Sequence, residues 1–157
     1  MGLVIFLSIF ILIAICGVIF RNNIVRFLNA TKRAWAEVVN FERQKVKTLE
    51  ALEQTIAQYS QFEKSTLENI TQLRQQILNL NLDNADVSQL ENIEKLNRDL
   101  MKSLNIVVEN YPELKANQIY EKMMDDIQEQ NENVGASITI YNRNVEIFNN
   151  NIQIFPN

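Results

Sequence analysis

The sequence runs to 157 residues, with 19 Asp and Glu against 15 Lys and Arg, no His and a single Cys. Absence of His removes the commonest general base and the commonest transition-metal ligand. The acidic balance argues against nucleic acid as a partner, because such binding leans on Lys and Arg at phosphates.

From Leu3 to Phe20 no residue carries a charge. As a helix this stretch measures about 27 Å at 1.5 Å per residue, close to the hydrocarbon thickness of a bilayer. It reads as a single transmembrane anchor over residues 1–20, followed by a body over residues 21–157. A cleaved signal peptide would want a basic start, a shorter apolar core and a small-x-small site, none of which is present. A lipoprotein signal is the other alternative, since Cys16 lies near the end of LIAICG, but Ile15 stands where a small residue is expected. Arg21, Arg26, Lys32 and Arg33 all precede the first acid, Glu37. The positive-inside rule then places the body in the cytoplasm and the N-terminus outside, a single-pass protein of the cell membrane. The same four cations are candidates for contact with anionic lipid headgroups. Arg43 to Lys47 reads as a further topology determinant or as a solvated helix face.

Between Gly17 and Pro112 there is neither Gly nor Pro, so long helices are expected. Val46, Leu49, Leu52, Ile56, Tyr59, Leu67, Ile70, Leu73, Ile77 and Leu80 step mostly by three or four, which one amphipathic helix could carry throughout, continuous with the span through Trp35 and Val38. NLNLDNADVSQLE loses the rhythm and gathers Asn and Asp, which compete for backbone hydrogen bonds, so a turn is expected there. Asp86 is the expected N-cap of the next helix, with Gln89 three residues on. Leu90, Ile93, Leu96, Leu100, Leu104 and Val107 give that helix its inward stripe, and Pro112 ends it by disfavouring helical geometry at Tyr111.

The last helix is rich in Asn, a poor helix former. Yet Tyr120, Met124, Ile127, Asn131, Val134, Ile138, Tyr141, Val145, Phe148, Ile152 and Phe155 alternate steps of four and three, a packing seam strong enough to override propensity. Asn142 with Asn149 and Asn144 with Asn151 form stripes beside it. The first pair is expected to bond neighbouring helices, the second to face solvent. Stripes of this kind bury most simply in an all-α, antiparallel up-and-down bundle, with an extended two-stranded coiled coil as the alternative.

YPELKAN at Tyr111 to Asn117, followed by YNRNVEIFNNNIQIFP, resembles the signature of the LemA family of bacterial membrane-anchored helical proteins. NNIVRFLNATKRAWAEV, with Trp35 at the place of that family's Ala-Trp pair, and TLEALEQTIAQYSQFEKSTLENITQLR are similar as well. The resemblance implies an N-terminal span with its N-terminus outside, a cytoplasmic four-helix bundle and no established activity. A fourth helix requires a break in the Val46 to Leu80 stretch or a bend near Tyr59 to Phe62. Trp35, Tyr141, Asn142, Val145, Asn149, Phe155 and Pro156 are its motif and packing residues. The segment from Asn79 to Val107 is richer in Asn and Leu than the family's Ala-rich pattern.

Familiar chemistry finds little support. With Cys16 in the span no thiol nucleophile or zinc site is expected. The calcium-loop pattern fails from Asp83, where Ala85, Val87 and Ser88 stand at ligand or glycine positions. A phosphate-cradling Gly-rich loop cannot be built on Gly135 alone, which reads as a close-packing point or a weak spot. Glu121, Asp125 and Glu129 share a helical face, most simply a solvated one. No cofactor and no enzyme activity are expected. The leading expectation is a membrane-tethered interaction module serving envelope maintenance, with the loop Tyr111, Pro112, Glu113, Leu114, Lys115, Ala116 and Asn117 as the contact for an unidentified protein partner. In the structural alternative Tyr111 and Leu114 only pack over the bundle end. A homo-oligomeric membrane scaffold is the second functional reading.

Overall fold

The computed structural model describes residues 1–59 and 64–153, with the side chain of Tyr59 left aside. Five helices occur among the described residues: α1 (Gly2–Tyr59), α2 (Lys64–Leu78), α3 (Val87–Asn110), the single turn α4 (Pro112–Lys115) and α5 (Gln118–Gln153). No strand occurs among them. The bend expected near Tyr59 to Phe62 falls mainly on residues outside this set.

Helix α1 runs without interruption from the apolar segment into the body. That continuity follows from a sequence free of Gly and Pro beyond Gly17. Its N-terminal part is long and apolar enough to cross a membrane and is unburied within the chain. One helix does not, however, carry the whole Val46 to Leu80 stripe. Leu67 to Ile77 belong to α2, which lies back against α1. Arg74 ties the two by pairing with Glu50 and Glu53, and Thr71 donates to Glu53.

The turn after α2 sits where Asn and Asp accumulate. Asp86 caps α3 by accepting from the backbone N–H groups of Ser88 and Gln89 at 3.0 and 3.2 Å. Helix α3 packs on α2 and ends at Tyr111, whose φ of −127° and ψ of 80° meet the restriction that Pro112 imposes. Pro112 then occupies the first turn of α4, where its missing N–H costs nothing. Asn117 caps α5 through Ile119 N at 2.9 Å.

Helix α5 returns along α1 and makes with it the most extensive helix pairing among the described residues. Gln130 donates to Thr48 and the Tyr141 ring meets Trp35, which fixes an antiparallel register. By that register Gln153 lies level with about Ile24, one or two turns beyond the end of the apolar segment. Helices α2 and α3 stop short of this level, because the turn joining them is held beside Trp35 and Arg43. The chain therefore has a neck of α1 and α5 alone and a body to which α2 and α3 are added.

Core residues follow the expected stripes. Leu49, Leu52, Ile56, Ile70, Leu73, Ile77, Leu100, Leu104 and Ile127 are fully buried. On α5, Met123 and Ser137 are buried as well, beside the expected seam. Ile152 is exposed, and Val145 and Phe148 are half-buried, since only α1 accompanies them. Phe155 and Pro156 lie outside the described residues.

Candidate functional site

Trp35 is the hub where neck and body meet. Its indole donates from Nε1 to the carbonyl of Asn81 at 2.7 Å, and its ring lies 5.4 Å from that of Tyr141, tilted by 56°. Buried tryptophan needs such a partner for its N–H, and the bond pins the turn between α2 and α3 onto α1. Arg43 repeats the device eight residues on, donating to the Leu80 carbonyl at 3.0 Å. Burial raises the Tyr141 hydroxyl above its ordinary pKa, and that of Tyr120 likewise.

Asn142 and Asn149 do not bond to neighbouring helices. Both are exposed on α5, while Asn144 is half-buried and Asn151 donates back to the Ile147 carbonyl at 2.8 Å. Asn149 stands in the neck, where positions beside the seam meet water, and Asn142 stands where α3 and α5 do not close on one another. Val145 remains at the α1 contact, half-buried.

In the loop from Tyr111 to Asn117 the roles divide by side chain. Leu114 is fully buried and joins the core, with half-buried Tyr111 against it. Pro112, Glu113, Lys115 and Ala116 are exposed, and half-buried Asn117 is occupied as the α5 cap. The packing expected of Tyr111 and Leu114 is thus present, and four exposed residues remain as surface. The loop caps the end of the body opposite the apolar segment.

Arg21, Arg26, Lys32 and Arg33 are all exposed on α1. Along a straight helix Arg26 stands about 9 Å beyond Phe20, and Arg33 about 20 Å. A headgroup layer is only some 5–8 Å thick on each side, so by helical rise Arg21 falls within such a layer, Arg26 at its outer limit, and Lys32 and Arg33 well beyond it.

A different place on the molecule was not anticipated from sequence. Helices α3 and α5 are bridged by α4 but do not pack closely along their length. Between them lies a slit of about 450 Å³ that reaches down to Glu42 and Lys45 of α1. Those two form an ion pair of 3.1 Å with 4% and 2% of their side-chain surface exposed. Lys45 is therefore not part of a solvated face, and half-buried Arg43 is not either. Leu90, Ile93, Val134 and Ile138 wall the slit, and Tyr141 closes one end. Gly135 opens onto it: a Cβ placed there would meet no atom within 4 Å, so this glycine is not a close-packing point. The one available sequence signal was Lys45 itself, which lies a single residue from the Val46 of the apolar stripe.

Among the described residues no cluster of His, Cys, Asp or Glu could hold a metal ion. Glu121, Asp125 and Glu129 are exposed.

These features define an all-helical protein with one apolar N-terminal helix fit to cross a membrane and a body pinned at a buried Trp. The model of the LemA family matches residues 34–157, and the chain belongs to that family. A search among curated proteins found no match.

Proposed function

We propose that the protein is a membrane-tethered, non-enzymatic interaction module. Residues 1–20 are the anchor, and residues 21–157 form an antiparallel up-and-down four-helix bundle in the cytoplasm, with α4 as a turn between its last two members. The observation that carries this reading is the unbroken helix from Gly2 to Tyr59. A flexible linker would let the body tumble near the membrane, whereas a continuous helix holds it at a fixed height and angle. The exposed loop side chains then stand about 55–60 Å above the end of the span, from the rise per residue of α1. A rigid post with a surface at its tip suits recognition of a protein partner. The base of the post is long and apolar enough for a bilayer, and the exposed Arg21 beside it suits contact with anionic headgroups.

The test is a photo-crosslinker at Lys115 in living cells, with adducts identified by mass spectrometry. One recurrent foreign protein is the expected result, and Lys115→Glu should reduce its capture without changing thermal stability. If capture and stability fall together, the contact role of the loop is lost. For orientation, a Cys placed at Gly2 should be labelled from outside and one at Asn157 only after permeabilisation.

Self-association is the second reading, and the neck favours it. Val25, Leu28 and Ile152 are exposed there beside half-buried Phe27 and Phe148. The mass of the detergent-solubilised chain separates the two, since a discrete oligomer supports the scaffold.

A further inference from the structure

The slit between α3 and α5 carries more than a gap in packing. Its polar groups do not balance. From α1 it receives Glu42 and Lys45, which neutralise one another at 3.1 Å. From α3 it receives Glu91, Glu94 and Arg98, and Arg98 is bound to Glu94 at 2.6 Å. From α5 come only neutral groups, Asn131, Tyr141 and Asn142. Both cations are thus engaged, and the carboxylate of Glu91 is left over. The walls around these groups are aliphatic, and Tyr141 supplies one aromatic face.

We infer that the slit is a binding site for a small molecule with an apolar body and a protonated amine. The body lies against Ile93, Val134 and Ile138, and the surplus charge of Glu91 supplies the attraction. Size favours a small molecule over a docked helix. About 450 Å³ falls in the usual range for small-ligand sites. A helical segment spanning the slit would need roughly 1,200 Å³ from its diameter and rise.

The chain's one tryptophan is a built-in reporter, since Trp35 touches Tyr141 at the slit's end. Full-length protein in phosphatidylcholine nanodiscs is titrated at neutral pH with 2-phenylethylamine, 3-phenylpropanoate and 2-phenylethanol, probes of similar shape and different charge. Trp35 emission is read alongside the thermal midpoint, which ligand binding raises by mass action. The amine should shift both signals saturably, and the carboxylate should bind at least about tenfold more weakly, on the scale of charge selection at a partly screened site. Glu91→Gln, an exposed change that leaves folding intact, should weaken the amine about threefold to fivefold. Gly135→Leu grows into open space and should abolish binding without lowering the midpoint of the free protein. Equal binding of amine and carboxylate would overturn the assignment of ligand charge. Undiminished binding to Gly135→Leu would place the amine elsewhere, and silence of both signals with all three probes would mean that the slit holds only water.

Discussion

The neck and the body are built on the same two helices, with the same spacing of apolar residues, and they differ in how much those residues are buried. In the body Val38, Leu49, Leu52 and Ile56 of α1 lose all contact with solvent. In the neck Ile24, Phe27 and Ala30, with Val145 and Phe148 opposite, are only half-buried. The difference lies in the number of neighbours, since α2 and α3 flank α1 and α5 in one region and not in the other. A period of three and four therefore records the direction a side chain faces. It does not record how completely the face is covered.

The largest effect should come from the residue where the two regions join. Trp35→Ala removes a fully buried ring, its bond to Asn81 and its contact with Tyr141. A loss of about 3–5 kcal/mol is expected from denaturant midpoints. Phe148→Ala, in the neck, should cost no more than about 1–2 kcal/mol, because less of its surface leaves water on folding. Equal losses at the two sites would mean that a further partner, such as a second copy, covers the neck.

Next comes the ion pair beneath the slit. Removing one member leaves an uncompensated buried charge, so Lys45→Ala should cost about 3 kcal/mol or more. Replacing both, Glu42→Leu with Lys45→Met, should be near neutral or stabilising by the same reasoning. If the double variant loses as much as the single one, the pair is held by bonds beyond its own and the desolvation argument fails.

How much of this was legible in the sequence depends on whether a signal was local. The apolar segment, the turn at Asp86, the stop at Pro112 and the inward stripes all rest on chemistry within a few residues. They read correctly for that reason. The extent of α2 was hidden, because the stripe from Val46 to Leu80 resumes in phase after one skipped position, Glu63, and so reads as a single helix. The fate of Asn149 depended on whether a third helix reaches the neck, and that of Asn142 on whether α3 closes on α5, which no local pattern states. Lys45 was misread because a lysine near an apolar stripe usually extends to water, whereas here Glu42 one turn earlier receives it. The slit was invisible in the sequence, since it arises from helices α3 and α5 failing to close on one another.

Gly135→Ala offers a smaller effect of opposite sign. The site is exposed and mid-helix, and a Cβ meets nothing there. A gain of about 1 kcal/mol is expected from helix propensity alone. A destabilising result would show that the backbone at the slit needs the freedom glycine supplies. Alkaline pH tests the body more broadly. Burial raises Tyr120 and Tyr141, so the folded state prefers their neutral forms. Their contribution is complete below pH 10, the ordinary value, and is lost as pH rises through the higher folded values. The midpoint should fall in step with phenolate absorbance, and less steeply in Tyr120→Phe.

The mildest test concerns Asp86, which caps α3 at the level where the body begins. The hydroxyl of Ser88 bonds its carboxylate at 2.6 Å, and this, followed by the N–H of Gln89, holds its pKa below the ordinary 3.8. Because the folded value is depressed, the stabilisation is fully present above the unfolded value and fades as pH falls through the folded one. Ser88→Ala removes the first of these bonds, so the folded value should move back toward 3.8 and the acid-side loss should shrink. Other carboxylates titrate in the same range, and the informative quantity is the difference between the two proteins' melting curves as pH is lowered. That difference should narrow toward the acid end, where a protonated Asp86 no longer profits from the hydroxyl. A gap that stays constant with pH would show that Ser88 supports α3 by packing or propensity alone. The charge-assisted cap would then have no part in starting the body where the neck ends.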